Sequence, residues 1–180
     1  MRKLNLILVI TLSATCMQST QANTGQLTFN GELTANTCNV SVDGGESSNT
    51  VTLPTVSVGE FRPFRTAGNT SFSIALSGCR GPLRTASAYF ENGPNVVEVV
   101  NYNRLRNNGT AENLYIQLRD GSNNEIIHIG GRSQVDYNGF VDIDDSGNAS
   151  LSYSAEYFAG LETVKAGTAM TSVSYSVMYK

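Results

Sequence analysis

An antiparallel β-sandwich is the fold class that this 180-residue sequence predicts. Three observations carry it. Apolar residues recur at every second position in nearly every patterned segment, clusters of Gly, Asn, Asp and Ser separate those segments, and no amphipathic helix longer than a turn or two can be drawn. The sequence contains no Trp, so the buried Trp that often marks an immunoglobulin sandwich is absent.

Taken in order, the first element is a leader. Arg2 and Lys3 precede an apolar run at residues 4–14, too short to span a bilayer comfortably, and "TQA" at 20–22 supplies small residues for cleavage. Residues 1–22 are therefore expected to be a secretory signal peptide, cut before Asn23. A retained anchor is disfavoured because no second apolar stretch follows, and "SATC" before Cys16 lacks the Leu and the small residue of a lipoprotein site. Removing the leader takes away two of the 12 basic residues and none of the 15 acidic ones, leaving a net charge of −5. That balance, with no local basic cluster, excludes nucleic-acid binding. About 158 residues remain, enough for one core.

Next comes "QLTFNGEL" at 26–33, which puts Leu27, Phe29, Gly31 and Leu33 on one face. "SFSIALSGC" at 71–79 does the same with Phe72, Ile74 and Leu76, "NLYIQLRD" with Leu114, Ile116 and Leu118, and "ASLSYSAEYF" with Leu151, Tyr153, Ala155 and Tyr157. "DGGESSN", "DGSNNE" and "DDSGN" supply the turn residues between strands. "TAENL" near Asn113 is the one place where a short helix could begin. The last stretch, "GTAMTSVSYSVMYK" at 167–180, alternates Ala169, Thr171, Val173, Tyr175, Val177 and Tyr179. Terminal residues fray unless something ties them down, so a terminus patterned this strongly needs a partner.

Loss of the leader leaves two cysteines, Cys38 and Cys79. An even count in an exported chain favours a disulfide. Closing a loop of about 40 residues stabilises by roughly 4 kcal/mol in the chain-entropy model. Two cysteines and one His are too few for a structural zinc site.

Constellations with chemistry are sparse. His128 lies in "EIIHIGG", which reads as an apolar strand, and no nucleophile motif accompanies it. "DIDDSGN" begins like a calcium loop, with Asp142, Asp144, Ser146 and Gly147 in place, but its twelfth position is Tyr153 where a bidentate Glu is required; it reads as a hairpin turn. Asp144 and Asp145, or Glu156 and Glu162, are solvated acids by default, and the Asn39, Asn69, Asn108 and Asn148 triplets follow from a composition rich in Asn, Ser and Thr. No enzyme activity, metal or cofactor is expected.

The specific pattern lies in the ends and the cysteines. "NTGQLTFNGELTANTC", "SFSIALSGC", "NLYIQLRDGSNNEI" and the closing "GTAMTSVSYSVMYK" together resemble the pilin subunits of bacterial chaperone/usher fimbriae, most closely the short minor subunits of type 1-like pili, over essentially the whole exported chain. In that family an N-terminal extension of alternating apolar residues carries a Gly at a fixed place; Leu27, Phe29, Gly31 and Leu33, with Gly25 before them, match it. A disulfide joins the first two strands of the domain, as Cys38 and Cys79 would. The C-terminal strand starts near a Gly fourteenth from the end and has a penultimate Tyr, matched by Gly167 and Tyr179.

The resemblance implies an incomplete immunoglobulin-like sandwich lacking its last strand and completed by a donated one. It divides the chain into a signal peptide (1–22), a donor-strand extension (23–34) and a pilin domain (35–180). It implies an acceptor groove and chaperone-contact strand at Gly167, Ala169, Thr171, Val173, Tyr175, Val177, Tyr179 and Lys180, with the terminal carboxylate gripped by basic residues of the chaperone. Met178 on the outer face and the cation of Lys180 depart from the pattern. The implied partners are a periplasmic chaperone, an outer-membrane usher and neighbouring subunits, on a route through the periplasm to a surface fimbrium. The alternative is a glycan-binding tip module for a host receptor, with any aromatic platform built from Tyr or Phe.

Overall fold

The structure, a computed structural model, describes residues 37–42 and 49–180. The expected leader and donor segment, with Gly25, Leu27, Phe29, Gly31 and Leu33, lie outside the described residues.

Nine strands are seen among the described residues: β1 (Thr37–Val42), β2 (Thr66–Arg80), β3 (Thr85–Phe90), β4 (Val96–Val99), β5 (Tyr102–Arg106), β6 (Leu114–Asp120), β7 (Val141–Asp142), β8 (Ala149–Ala159) and β9 (Tyr175–Tyr179). They form a six-stranded sheet in the order β1-β2-β8-β6-β5-β4 and a three-stranded sheet in the order β7-β3-β9. Every pairing is antiparallel. The all-β class read from the alternation is therefore the observed one, with a single α-helical turn, α1 (Ser133–Tyr137), among the described residues.

Alternation places the core. On the long β2–β8 pair, Ile74 faces Leu151 and Phe72 faces Tyr153, while the intervening Ser73–Ser152 and Ser71–Ser154 pairs carry the other face. Ile74, Leu76, Leu151, Tyr153 and Ala155 join Ile116 and Leu118 of β6 in one buried cluster, which also takes Ala86, Ala88 and Phe90 of β3. Leu114, Phe61, Ala111 and Ala159 form a smaller cluster. The expected disulfide is present, joining Cys38 of β1 to Cys79 of β2 across 41 positions, where the β1–β2 register shifts.

The second face of the six-stranded sheet also buries polar groups, because they satisfy one another. Arg104 donates through Nε to Gln117 Oε1 (2.8 Å), Gln117 Nε2 donates to Glu156 Oε1 (2.6 Å), and Arg119 Nε reaches the same oxygen. The Arg104 guanidinium lies 3.6 Å over the Phe158 ring, and burial pushes its pKa down to about 10.

Three local readings differ from the structure. "EIIHIGG" is not a strand: a lone bridge ties Ile126 to Arg119, Ile127 and Ile129 point into the core, and His128 stacks on Tyr102 with ring centroids 4.5 Å apart. "TAENL" forms no helix, because Glu112 pairs with Lys165 through backbone and side chain instead. "DIDDSGN" is a turn, with Asp144 Oδ1 accepting from the Ser146 and Asn148 amides, but it joins β7 to β8 across the two sheets and so closes no hairpin.

Candidate assembly interface

β9 is the terminal strand of its sheet among the described residues, paired on one side with β3. The register matches Ala86 with Tyr179, Ala88 with Val177 and Phe90 with Tyr175. Thr85 and Lys180 exchange backbone bonds, and the Glu91 amide donates to Ser174. In an antiparallel ladder such bonded pairs alternate with pairs whose N–H and C=O groups point outward. The backbone groups of Tyr175, Val177 and Tyr179 are therefore directed away from β3, toward the free edge. Their side chains, with that of Val173, are half-buried and pack against the main core. Burial raises the phenol pKa of both Tyr175 and Tyr179. One strip of core thus lies beside a row of backbone donors and acceptors.

The rest of the predicted strand is built differently. Residues 167–174 alternate in sequence but form no strand; side chains of the 107–111 loop take part of their backbone groups, and the Asn108 and Ala111 amides donate to the Met170 and Thr168 carbonyls. Asn107 Oδ1 accepts from the Met170 amide, and its Nδ2 donates to the Thr168 and Ala111 carbonyls. Thr110 and Thr168 bond reciprocally, each hydroxyl accepting from the other residue's amide. Asn95 Nδ2 donates to the Ser172 carbonyl. Side-chain amides and two loop amides together stand in here for a neighbouring strand.

Gly167 belongs to this clamp rather than to the strand. A Cβ added there would lie 2.5 Å from the Thr110 carbonyl carbon and 2.7 Å from Ala111 Cα, and one on Gly109 would lie 2.6 Å from the Thr168 carbonyl carbon. The two glycines let the backbones touch. Gly167→Val is expected to lower stability by about 1–3 kcal/mol through overpacking, read as a lower urea midpoint.

Of the other residues expected here, Ala169 is exposed, while Thr171 is half-buried with its Oγ1 enclosed and without a hydrogen-bond partner. Lys180 is fixed at both ends: its carboxyl oxygen accepts from the Arg84 and Thr85 amides, and its ammonium lies 3.7 Å over the Phe140 ring and donates to the Val135 carbonyl. Among the described residues no group of three or more His, Cys, Asp or Glu side chains is placed to hold a metal.

Similarity to known proteins agrees with this architecture. A model of the family described as type-1 fimbrial protein A, FimA, matches residues 53–180. The chain is 35% identical to the F17 fimbrial protein of Escherichia coli over a 189-residue alignment covering all of both sequences. It is 36% identical to the major fimbrial subunit SMF-1 of Stenotrophomonas maltophilia, over 86% of this chain and 92% of that one. In fold it is similar to the P pilus rod subunit PapA, with a TM-score of 0.57 at 16% identity over 79% of this chain and 99% of that one. A chain of a chaperone-usher pilus gives a TM-score of 0.53 at 14% identity, over 93% and 100%. A two-sheet antiparallel core stapled at its first two strands, ending on a strand at a sheet edge and matched over most of its length by fimbrial relatives, places this chain in the FimA type-1 fimbrial protein family.

Proposed function

We propose that the chain is a non-catalytic building block of a bacterial surface fimbrium, and that the edge of β9 receives the N-terminal extension, residues 23–34, of a neighbouring subunit. The single observation that carries this reading is the half-buried row Val173, Tyr175, Val177 and Tyr179 beside outward-facing backbone groups, with β9 terminal in its sheet among the described residues. Strand addition supplies both things such an edge lacks: ladder hydrogen bonds for affinity and alternate side chains for specificity. Leu27, Phe29 and Leu33 of the donor would each contribute about 1.5–3 kcal/mol on burial, and Gly31 would let two backbones approach.

An edge of this kind is an aggregation hazard until covered. A periplasmic chaperone that lends a strand, and an outer-membrane usher that admits the donor as the chaperone leaves, fit that need on the route to the surface. Co-expression with such a chaperone should give a one-to-one complex. Deleting residues 23–33 tests the assignment of roles: the truncated chain should accept a strand yet donate none, and so be found only at a fibre end, linked to one neighbour. Fibres that carry the truncated subunit internally, linked to a neighbour on both sides, would refute the reading.

A further inference from the structure

The three-stranded sheet has two edges, and the chain treats them differently. Along β3 the groups of Thr85, Ser87 and Tyr89 face β9, and those of Ala86, Ala88 and Phe90, with the Arg84 carbonyl, face the opposite way. On that opposite side β7 contributes only two residues. It engages Ala86 through Val141, and the Ile143 amide donates to Arg84, but it ends before Ala88 and Phe90.

Side chains finish what β7 leaves. The Ala88 amide donates to Tyr153 Oη (2.8 Å), and Asn138 Nδ2 donates to the Ala88 carbonyl (3.2 Å). The Phe90 amide donates to Gln134 Oε1 (2.9 Å), and Gln134 Nε2 donates back to the Phe90 carbonyl (3.0 Å), which also accepts from the Gly130 amide (2.8 Å). The carboxamide of Gln134 thus offers one donor and one acceptor side by side, as a peptide group of an adjacent strand would. It is 1% exposed. It comes from α1, five residues with no side-chain cap, too short to hold together without such contacts.

Tyr153 belongs to β8 of the other sheet, so its hydroxyl closes this edge from across the core. Every backbone group on the far side of β3 from Arg84 O to Phe90 is consequently matched, whereas those of Tyr175, Val177 and Tyr179 point to the terminal side of the sheet. What separates the two edges is three side chains and the Gly130 amide.

We infer that Gln134, Asn138 and Tyr153 are specificity-determining residues for strand addition: by occupying the backbone groups of Ala88 and Phe90 they deny an incoming strand the β3 edge and leave β9 as the open edge of the three-stranded sheet. The inference rests on the reading that β9 receives a donated strand. A chain whose two edges both accepted a strand would branch or capture donors out of line. Closing one edge of this sheet leaves the donor a single place on it.

The test is stoichiometric. A synthetic peptide copying residues 23–34 is mixed with the chain and counted by native mass spectrometry, for the unaltered chain and for Gln134→Ala/Asn138→Ala. One peptide on the unaltered chain and a second on the variant is the expected result, and simple destabilisation would not add a second peptide. A variant that still takes one overturns the inference, while an unaltered chain that takes none overturns the reading beneath it. Amide exchange on the unaltered chain decides the matter if the variant does not fold. The Ala88 and Phe90 amides should then exchange at least about tenfold more slowly than those of Val177 and Tyr179, a factor matching one hydrogen bond, with peptide slowing only the latter pair. Equal exchange at the two edges before peptide is added would refute the closure.

Discussion

Replacing Cys38 and Cys79 by Ser is expected to cost about 4 kcal/mol, because the bridge closes a span of 41 positions whose freedom in the unfolded chain it removes. In a domain of this size that corresponds to a fall in Tm of about 8–16 °C. Net stability of a domain is only about 5–15 kcal/mol, so a large share of it is held by one bond. The folded contacts hardly change: β1 would keep its register with β2, at the edge of the six-stranded sheet. The signature of an effect on the unfolded state is a lower urea midpoint together with a steeper denaturant slope, since an uncrosslinked chain exposes more surface. Coincident unfolding curves for the bridged and Ser-substituted chains would show that the loop contributes nothing.

Tyr153 is the second position where a large effect is expected. Its ring is 2% exposed, meets Phe90 edge-on with centroids 5.1 Å apart, and lies 5.8 Å from Phe72. Tyr153→Ala removes a buried aromatic from the junction of the two sheets, and about 3–5 kcal/mol should be lost. Tyr153→Phe keeps the ring and removes the oxygen that the Ala88 amide requires, leaving a buried donor unpaired at about 1–3 kcal/mol. A pH titration separates the two causes. Burial raises the phenol above its ordinary value of 10.0, outweighing the opposing hydrogen bonds from Ser87 and Ala88. The neutral phenol is thus favoured in the fold, its stabilisation is complete below pH 10 and is lost as pH climbs through the higher folded value. The Phe variant should begin less stable and fall less steeply above pH 10. Parallel alkaline profiles would show that the hydroxyl has no such role.

The alternating segments of β2, β6 and β8 were legible in the sequence because each has one buried and one partly solvated face, and a period of two is the direct trace of that arrangement. β3 left no such trace: Ala86, Ser87 and Ala88 are all buried, so both faces read alike. α1 was equally invisible, since it owes its existence to the bonds of Gln134 with Phe90, 44 positions away. The β9 edge was half legible. Tyr175, Val177 and Tyr179 alternate and lie on the strand, but residues 167–174 alternate without one. Period two records which side chains face inward and is silent about whether a strand or an Asn side chain takes the backbone bonds. Tertiary contacts decide that, and no local window contains them.

On the proposed reading that β9 receives a donated strand, the clamps on either side of Tyr175, Asn107 with Thr110 at one end and the Thr85–Lys180 rung at the other, would also bear on affinity. Because they fix this stretch before any guest arrives, the guest alone surrenders conformational freedom, at about 1–2 kcal/mol for each backbone residue ordered. A receptor that is rigid beforehand concentrates the whole entropic penalty of joining on one side, and stiffening the guest is then the one remaining way to make the junction tighter.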